Sequence, residues 1–300
     1  MPPMSQESNS GLPAFDALWN YGEPSGTESK FRALLPQARA SGNIEYLAEL
    51  LTQIARTQGL QQKYTDAHAT LNEVEDLLTA GTHTARVRSL LERGRTWNSS
   101  GSPDKSLPLF EKALELARQA GLQFHAVDAA HMLAIVCTGD QSLRWNEEAI
   151  RMAEAASDPR ARKWLGPLYN NTGWTYHDMG RHADALAMFE KHFHLRTEEK
   201  NEAQAGIALW SIAKMRRFLG SVEEALTLQF EVLRRPERQG NDSEGYTREE
   251  IGECLLRLGR QDEAAPYFAR AWELLHDDPW LRQDEPQRLE RLRTLGTVSS

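Results

Sequence analysis

Apolar and polar residues along this chain alternate with helical periods that are interrupted by regularly spaced glycines. The segment from Tyr169 to Phe189 shows the pattern best, because two amphipathic stretches flank a central glycine. Glycines of this kind recur at spacings of 38, 41, 40 and 39, at Gly101, Gly139, Gly180, Gly220 and Gly259. A fixed period with helical patterning on both sides of each glycine predicts an all-α fold, an α-α superhelix (solenoid) of stacked antiparallel helix pairs.

Each unit combines a small residue in the first helix, a glycine at the turn, a second small residue five positions on and an aromatic residue four positions later. A small residue at a helix crossing lets two backbones approach, and the aromatic ring fills the remaining space. The three best copies are Gly173, Gly180, Ala185 and Phe189; Gly252, Gly259, Ala264 and Phe268; and Gly94, Gly101, Ser106 and Phe110.

Three further copies are weaker. One copy uses Ala213, Gly220, Ala225 and Phe230, and the first uses Ala55, Ala67 and Leu71 with Gln62 in place of the turn glycine. The copy around Gly139 departs most, and its register stays open.

These motifs resemble the tetratricopeptide repeat. The resemblance covers residues 45–275, about six repeats, and the mean period of about 39 exceeds the standard 34 residues. HEAT repeats are the alternative, with a period of about 40–47, but the paired small residues and the aromatic at a fixed offset favour the tetratricopeptide repeat. The resemblance implies a concave face, lined by the first helix of each pair, that receives peptides or partner helices.

The two ends of the chain are expected to cap this array. Residues 1–12 are predicted to form a disordered tail, and residues 13–44 a degenerate capping pair with helices over 13–20 and 27–40, the second kinked at Pro36. Residues 276–300 are predicted to contain a capping helix over 286–295 and a frayed tail.

Capping residues locate several helix starts independently of the repeat. Ser102 and Asp158 each precede a proline, which suits the first position of a helix. Ser221 and Glu224 have the spacing of a capping box after Gly220. These three sites fall at turns that the period also predicts.

The overall charge and the cysteines narrow the class of protein. The 43 acidic residues exceed the 35 basic ones, giving a formal net charge of −8, which argues against a nucleic-acid partner. No signal peptide is visible and no apolar run approaches the ~18 residues of a membrane span. Cys137 and Cys254 lie too far apart for a disulfide framework or a metal knuckle. A cytoplasmic protein without a membrane partner is therefore expected.

No catalytic motif stands out, so an enzyme is not expected and no cofactor is implied. His192 and His194 lie two residues apart, which places them on different faces of a helix and argues against a metal pair. His192 is expected to fill a small-residue position and His194 to be exposed. The adjacent pairs Glu147-Glu148 and Glu249-Glu250 are typical of a solvated helix face.

The repeat register predicts which side chains of the first helices line the concave face. They combine cations, amides and two tryptophans, with an acidic end at Glu249 and Glu253, and this mixture suits an acidic peptide. The predicted partner-binding groove comprises Arg88, Arg95, Asn98, His131, Asn170, Trp174, His177, Trp210, Lys214 and Arg217.

The predicted function is a non-enzymatic interaction module or scaffold that binds a peptide or protein segment in this groove. The alternative is a ligand- or peptide-sensing regulator whose superhelix changes shape to control a separate effector. The known clamp of Lys, Asn, Asn, Lys and Arg that binds chaperone tails is not reproduced, so that ligand is not implied. The sequence leaves the partner's identity and the oligomeric state open.

Overall fold

A computed structural model of the chain describes residues 11–236 and 242–297, and every regular element within these ranges is helical. The chain divides into two compact units at the boundary between Trp164 and Leu165. Each unit is a stack of helix pairs, which confirms the predicted all-α repeat architecture within it.

Unit 1 begins with a short 3-10 helix over Phe15–Leu18 and ends with a four-residue helix. Three helix pairs lie between α1 and α8, namely α2 with α3, α4 with α5, and α6 with α7. The helices are α1 (Pro24–Ala40), α2 (Ile44–Leu60), α3 (Tyr64–Leu77), α4 (His83–Ser99), α5 (Pro103–Gln119), α6 (Gln123–Val136), α7 (Gly139–Ala155) and α8 (Pro159–Arg162).

Unit 2 contains three further pairs, α9 with α10, α11 with α12, and α13 with α14, and its final helix packs against α14. The helices are α9 (Leu165–Asp178), α10 (His182–Glu198), α11 (Glu202–Phe218), α12 (Val222–Arg234), α13 (Asp242–Arg257), α14 (Gln261–Leu275), α15 (Pro279–Asp284) and α16 (Pro286–Gly296). Here "first helix" means α2, α4 and α6 in unit 1 and α9, α11 and α13 in unit 2.

The turns inside the pairs explain the recurring glycines. Gly180 has φ of +74° and its N–H donates to the carbonyl of His177, at 2.9 Å, so the chain leaves α9 in a left-handed conformation. Glycine adopts this conformation without a Cβ clash. Gln62 stands at the equivalent turn with φ of +61°, so the turn geometry persists in the copy that lacks the glycine.

The small residue and the aromatic ring of a repeat pack directly against each other. A Cβ atom placed on Gly173 would lie 2.6 Å from Cε1 of Phe189, and one on Gly252 would lie 2.8 Å from Cε1 of Phe268. Both rings are fully buried. Only glycine leaves room for phenylalanine at this crossing.

The same 16-residue spacing carries different residues in the other pairs. Buried alanine replaces glycine in them, and the ring position holds a smaller side chain: Ala55 with Leu71, Ala134 with Ile150, and Ala213 with Gln229. The larger alanine on the first helix is thus matched by a smaller side chain on the second helix. The Ala134 pair also gives a register to the copy around Gly139, which the sequence had left open.

The prediction that Phe230 fills the ring position of its repeat is wrong. The fully buried side chain there is Gln229, whose Nε2 donates to the carbonyl oxygen of Trp210 at 3.3 Å. Phe230 is only partly buried and packs edge-on against Tyr267. A one-residue shift places a side chain about 100° away on a helix, because 3.6 residues complete a turn.

The predicted caps are only partly realised. The Asp158 carboxylate accepts the backbone N–H of Arg160 at 2.8 Å, as expected. Ser102 and Ser221 occupy the N-cap positions of α5 and α12, but neither side chain makes a capping hydrogen bond. The capping residues therefore predict the helix starts correctly, but two of the three expected capping hydrogen bonds do not form.

The chain ends differ in detail from the expected caps. Only Phe15–Leu18 forms a regular element within residues 13–20, and α1 starts at Pro24 and continues through Pro36 to Ala40. At the other end α16 begins at Pro286 and buries Leu292. Most of the predicted N-terminal tail and the last three residues lie outside the described ranges.

Candidate functional site

The predicted groove residues fall on four first helices, two in each unit. In unit 1, Arg88, Arg95 and Asn98 lie on α4 and His131 on α6. In unit 2, Asn170, Trp174 and His177 lie on α9, and Trp210, Lys214 and Arg217 on α11. The surface formed by the first helices of one unit is called its first-helix face.

Two tryptophans form the centre of the first-helix face of unit 2. The rings of Trp174 and Trp210 have centroids 6.0 Å apart at an interplanar angle of 42°. The ammonium of Lys214 lies 5.8 Å from the first ring and 5.0 Å from the second. A cation over two indole faces is a favourable contact. Trp174 also packs edge-on against Phe189, with centroids 5.1 Å apart, which fixes its ring to the buried core.

Two buried polar atoms on α9 and α11 lack partners among the described residues. The indole N–H of Trp210 and the Oδ1 atom of Asn170 are both buried and make no hydrogen bond among the described residues. One is a donor and the other an acceptor, as in a peptide group. Buried polar groups are usually satisfied, so these two atoms are exceptions on the first-helix face of unit 2.

The two cations of α11 share one carboxylate from the next first helix. Arg217 donates to Glu250 through Nε at 2.8 Å and Nη2 at 3.0 Å, and Lys214 lies 3.2 Å from the same group. Burial alone would raise the pKa of Glu250, but Lys214 and Arg217 hold it below its ordinary value. Within this three-residue cluster, two positive charges face one negative charge.

A histidine pair borders the tryptophans. The Nδ1 atoms of His177 and His182 lie 3.3 Å apart, and both rings pack against Phe218. Burial, followed by the charge of Lys214, lowers the pKa of His177.

The acidic end predicted for the groove is covered by α16. Arg288 donates to the Glu249 carboxylate at 2.8 and 2.6 Å, and Arg291 pairs with Glu253. The terminal helix thus neutralises both acids, and they offer no free negative surface.

In unit 1 the first-helix face carries a chain of alternating charges. Arg56 on α2 lies 3.3 Å from Glu92 on α4, and Arg95 pairs both with Glu92 and with Asp128 on α6. Burial would lower the pKa of Arg95, but the Asp128 and Glu92 carboxylates raise it above its ordinary value. Arg95 is thus a structural link between repeats and not a free cation.

Arg88 is also engaged. Its guanidinium donates to both carboxylate oxygens of Asp16, at 3.0 and 2.7 Å, and its Nε lies 3.1 Å from Glu49. Burial raises the pKa of Glu49 to about 7, with Glu45 and Asp16 adding to the effect of burial and Arg88 opposing it. Asp16, from the 3-10 helix, was not among the residues predicted for this face.

The two remaining groove residues of unit 1 are uncharged or weakly basic and differ in burial. His131 is buried against Trp164, with ring centroids 5.1 Å apart, and burial lowers its pKa. Asn98 is partly buried on α4. His125, which the sequence did not single out, is buried with both ring nitrogens unpartnered among the described residues.

Charge pairing was the main feature that the sequence reasoning missed. Asp128 follows Arg95 by 33 residues and Glu250 follows Arg217 by 33, so each acid lies about one repeat beyond its cation. A search for opposite charges 33 residues apart, two helical turns less than the repeat period of about 40, would have found both.

Other candidate chemistry can be placed as well. His192 is fully buried and His194 is exposed, as predicted, with His192 accepting from Nε of Arg196 at 3.2 Å. Across the described ranges, no three His, Cys, Asp or Glu residues come together as ligands for a metal ion. No helix in these same ranges is long and apolar enough to cross a membrane.

Comparison with known proteins agrees with this architecture. The family model described as tetratricopeptide repeat matches residues 166–191, which cover the first part of α10 and all of α9 except Leu165. A comparison with curated proteins finds no sequence match.

Solved structures share the fold at low sequence identity. A signal transduction ATPase (STAND) protein with a tetratricopeptide repeat sensor, from Pyrococcus horikoshii, has a TM-score of 0.73 at 15% identity, covering 89% of this chain and 42% of that chain. This chain therefore spans less than half of that protein.

The quorum sensor NprR is similar in two structures. Its apo form from B. thuringiensis has a TM-score of 0.61 at 12% identity, covering 94% of this chain and 79% of that chain. NprR in complex with its cognate peptide NprX has a TM-score of 0.53 at 13% identity, covering 95% and 84%.

The paired helices, their glycine turns and the first-helix faces define a helical-repeat protein. The tetratricopeptide-repeat model matches one helix pair of unit 2, and a solved structure with such repeats shares the fold of the chain.

Proposed function

We propose that this protein is a non-enzymatic, cytoplasmic interaction module that binds a peptide or protein segment on the first-helix face of unit 2. The observation that carries the proposal is the pair of Trp174 and Trp210 rings with the Lys214 ammonium over both of them. Aromatic anchors next to polar groups are the usual make-up of an interaction hot spot. The pairing of NprR with the peptide NprX supports a peptide ligand for this fold.

The ligand is proposed to contain an apolar side chain and a nearby carboxylate. The apolar group would pack against the outer surface of the tryptophan pair, and the carboxylate would approach Lys214, which lies over both rings. Because Glu250 already pairs with Lys214, the attraction for an acidic group is weaker than two free cations would give.

The test is a peptide-array screen of the full chain against Trp174→Ala and Trp210→Ala. The matched control is Trp280→Ala, since Trp280 is 53% exposed on α15 of the same unit. We expect peptides bound by wild type and control to lose at least about tenfold in affinity with either groove variant, at unchanged helical content. Equal binding by all four proteins would assign the tryptophans to packing and remove the proposed site.

A second function is a peptide-sensing regulator, favoured by the similarity to the quorum sensor NprR and to a STAND repeat sensor. It predicts that a bound peptide changes the dimensions of the molecule. Small-angle scattering with and without a peptide from the screen tests this, and an unchanged radius of gyration favours the simple binding module.

A further inference from the structure

Residues 11–23 lie against unit 1 and are held there mainly by side chains of α1, α2 and α4. Their only regular element is the four-residue helix Phe15–Leu18. The Tyr46 hydroxyl donates to the Pro13 carbonyl at 2.9 Å, and the Gln37 amide donates to the Gly11 carbonyl at 3.4 Å. Side chains that bond to the backbone of a short segment are a feature of peptide recognition.

The segment supplies the charge partner of Arg88, a buried residue on α4, the second of the first helices in unit 1. Asp16 binds the guanidinium of Arg88 through two hydrogen bonds, of 3.0 and 2.7 Å. The Arg88 side chain is 9% exposed and the Asp16 side chain 52% exposed, so the carboxylate reaches a buried cation from the solvent side. A bidentate arginine–carboxylate pair is a strong and directional contact.

Aromatic residues of the segment extend this contact. Phe15 places its ring 5.6 Å from the Arg88 guanidinium, and the Trp19 indole donates to Oε1 of Gln53 at 2.9 Å. Tyr21 stacks on Trp19 with centroids 4.6 Å apart, yet remains 64% exposed.

Phe15 is buried in the core of unit 1 and packs edge-on against Phe31 of α1 and Tyr46 of α2. The segment thus combines a buried aromatic anchor with a partly exposed carboxylate and an exposed Tyr21.

A terminal cap of a repeat array needs to cover only the helix next to it. Asp16 instead reaches α4, beyond the adjacent α2. Asp16 therefore binds the same Arg88 side chain that the repeat register assigns to the predicted groove.

We propose that the first-helix face of unit 1 is a binding site for a protein segment that carries an aspartate beside an aromatic ring, and that residues 13–21 occupy it as an intramolecular ligand. A partner segment of the same chemistry binds by displacing them. Attachment in the same chain gives the internal segment an effective concentration of about millimolar order, so it weakens competing ligands. The site is separate from the one proposed in unit 2.

The probe is a fluorescein-labelled peptide with the sequence of residues 11–23, followed by anisotropy during titration with the full chain. We compare wild type with a variant that carries Asp16→Asn and Trp19→Ala, which loosens the internal segment. The expected result is at least about tenfold tighter peptide binding by this variant, because its internal competitor is weakened.

Two controls connect the gain to the proposed contacts. Adding Arg88→Gln to the variant should remove the gain, and so should a peptide with asparagine in place of its aspartate. Equal affinity of wild type and variant, with helical content unchanged, would overturn the proposal.

Folding and assembly controls complete the test. If the double variant unfolds, Asp16→Asn alone is used, and unfolding of that variant as well would make the segment a structural part of unit 1 and overturn the proposal. The solution mass of the wild-type protein gives its number of chains. A dimer in which the two chains exchange residues 13–21 would overturn the intramolecular arrangement.

Discussion

The first-helix faces of the two units contain similar cations but use them differently. In unit 1, Arg95 is linked to carboxylates on its own helix and on the next first helix, and Arg88 is bound by Asp16. In unit 2, Lys214 and Arg217 share the single carboxylate of Glu250. The number of lysines and arginines assigned to a groove is therefore a poor measure of its available charge. Both units use cations to join neighbouring repeats, but in unit 2 two cations share one carboxylate beside the tryptophans.

The largest effect that can separate the two faces is the loss of a charge that binds repeats together. Arg95→Ala should lower the free energy of unfolding by about 3–5 kcal/mol, because it leaves the buried Asp128 carboxylate without its cation. Lys214→Ala should cost about 1 kcal/mol or less, because Arg217 still pairs with Glu250. Denaturant titration measures both.

A paired replacement is the control for this result. Arg95→Met combined with Asp128→Leu removes both charges and should recover most of the loss, since no buried ion remains unpaired. Equal losses for Arg95→Ala and Lys214→Ala would contradict the distinction between the units.

Lowering the pH should reduce the free energy of unfolding, because each unit contains a buried histidine with a lowered pKa. Burial, followed by the nearby charges of Arg88 and Arg196 respectively, lowers the pKa of His125 and of His192 to about 4. Between pH 6.5 and 4 these two histidines become protonated in the unfolded chain but remain neutral in the folded protein. Unfolding free energy should therefore fall as the pH drops through this range, by up to about 3 kcal/mol for each ring.

Single variants isolate the two contributions. His125→Gln and His192→Gln should each flatten the dependence of unfolding free energy on pH between 6.5 and 4. His194→Gln is the matched control for unit 2, because this exposed ring lies two residues from His192. A control that flattens the curve as much as His192→Gln would show that burial is not the cause.

The third effect compares the two ways of filling a helix crossing. Gly173→Ala places a Cβ 2.6 Å from Phe189, so overpacking should cost about 1–3 kcal/mol, and Gly173→Leu more. Unit 1 uses Ala55 with Leu71 at the same positions. Adding Phe189→Leu to Gly173→Ala copies that solution into unit 2 and should restore part of the loss, as measured by thermal unfolding.

Gly59→Ala is the control for helix propensity. A Cβ at Gly59 meets only Thr96 Oγ1, at 3.7 Å, so the change should be neutral or stabilise α2 by up to about 1 kcal/mol. If Gly173→Ala behaves like Gly59→Ala, the close contact with the phenylalanine ring does not limit this position.

Contacts within one helix pair could be predicted from the sequence, whereas contacts between repeats could not. The turn at Gly180 and the Gly173 and Phe189 contact lie within one helix pair, so a fixed spacing was enough to predict them. The position of Phe230 was missed by one residue, because an aromatic side chain was preferred to the polar Gln229 that is buried there.

Longer-range contacts could not be predicted in the same way. The partner of Arg95 lies on the next first helix, and the partner of Arg88 lies in a segment that was predicted to be a helix of residues 13–20. Knowing the fold gives the face on which a cation lies, but its free charge depends on neighbours that only the three-dimensional arrangement specifies. Whether the ten predicted groove residues bind a partner stays a prediction.

The smallest effect concerns helix starts, where similar residues again act differently in the two units. Asn43 begins α2 of unit 1 and its Oδ1 accepts the Tyr46 backbone N–H at 3.0 Å, whereas Ser221 begins α12 of unit 2 without a capping bond. Asn43→Ala should lower the free energy of unfolding by about 1 kcal/mol, because a backbone donor of the first turn loses its partner. Ser221→Ala should change it by less than about 0.5 kcal/mol, the range for surface substitutions that break no specific contact. Paired denaturant titrations measure both values, and a loss at Ser221 as large as that at Asn43 would mean that the capping box forms in solution after all.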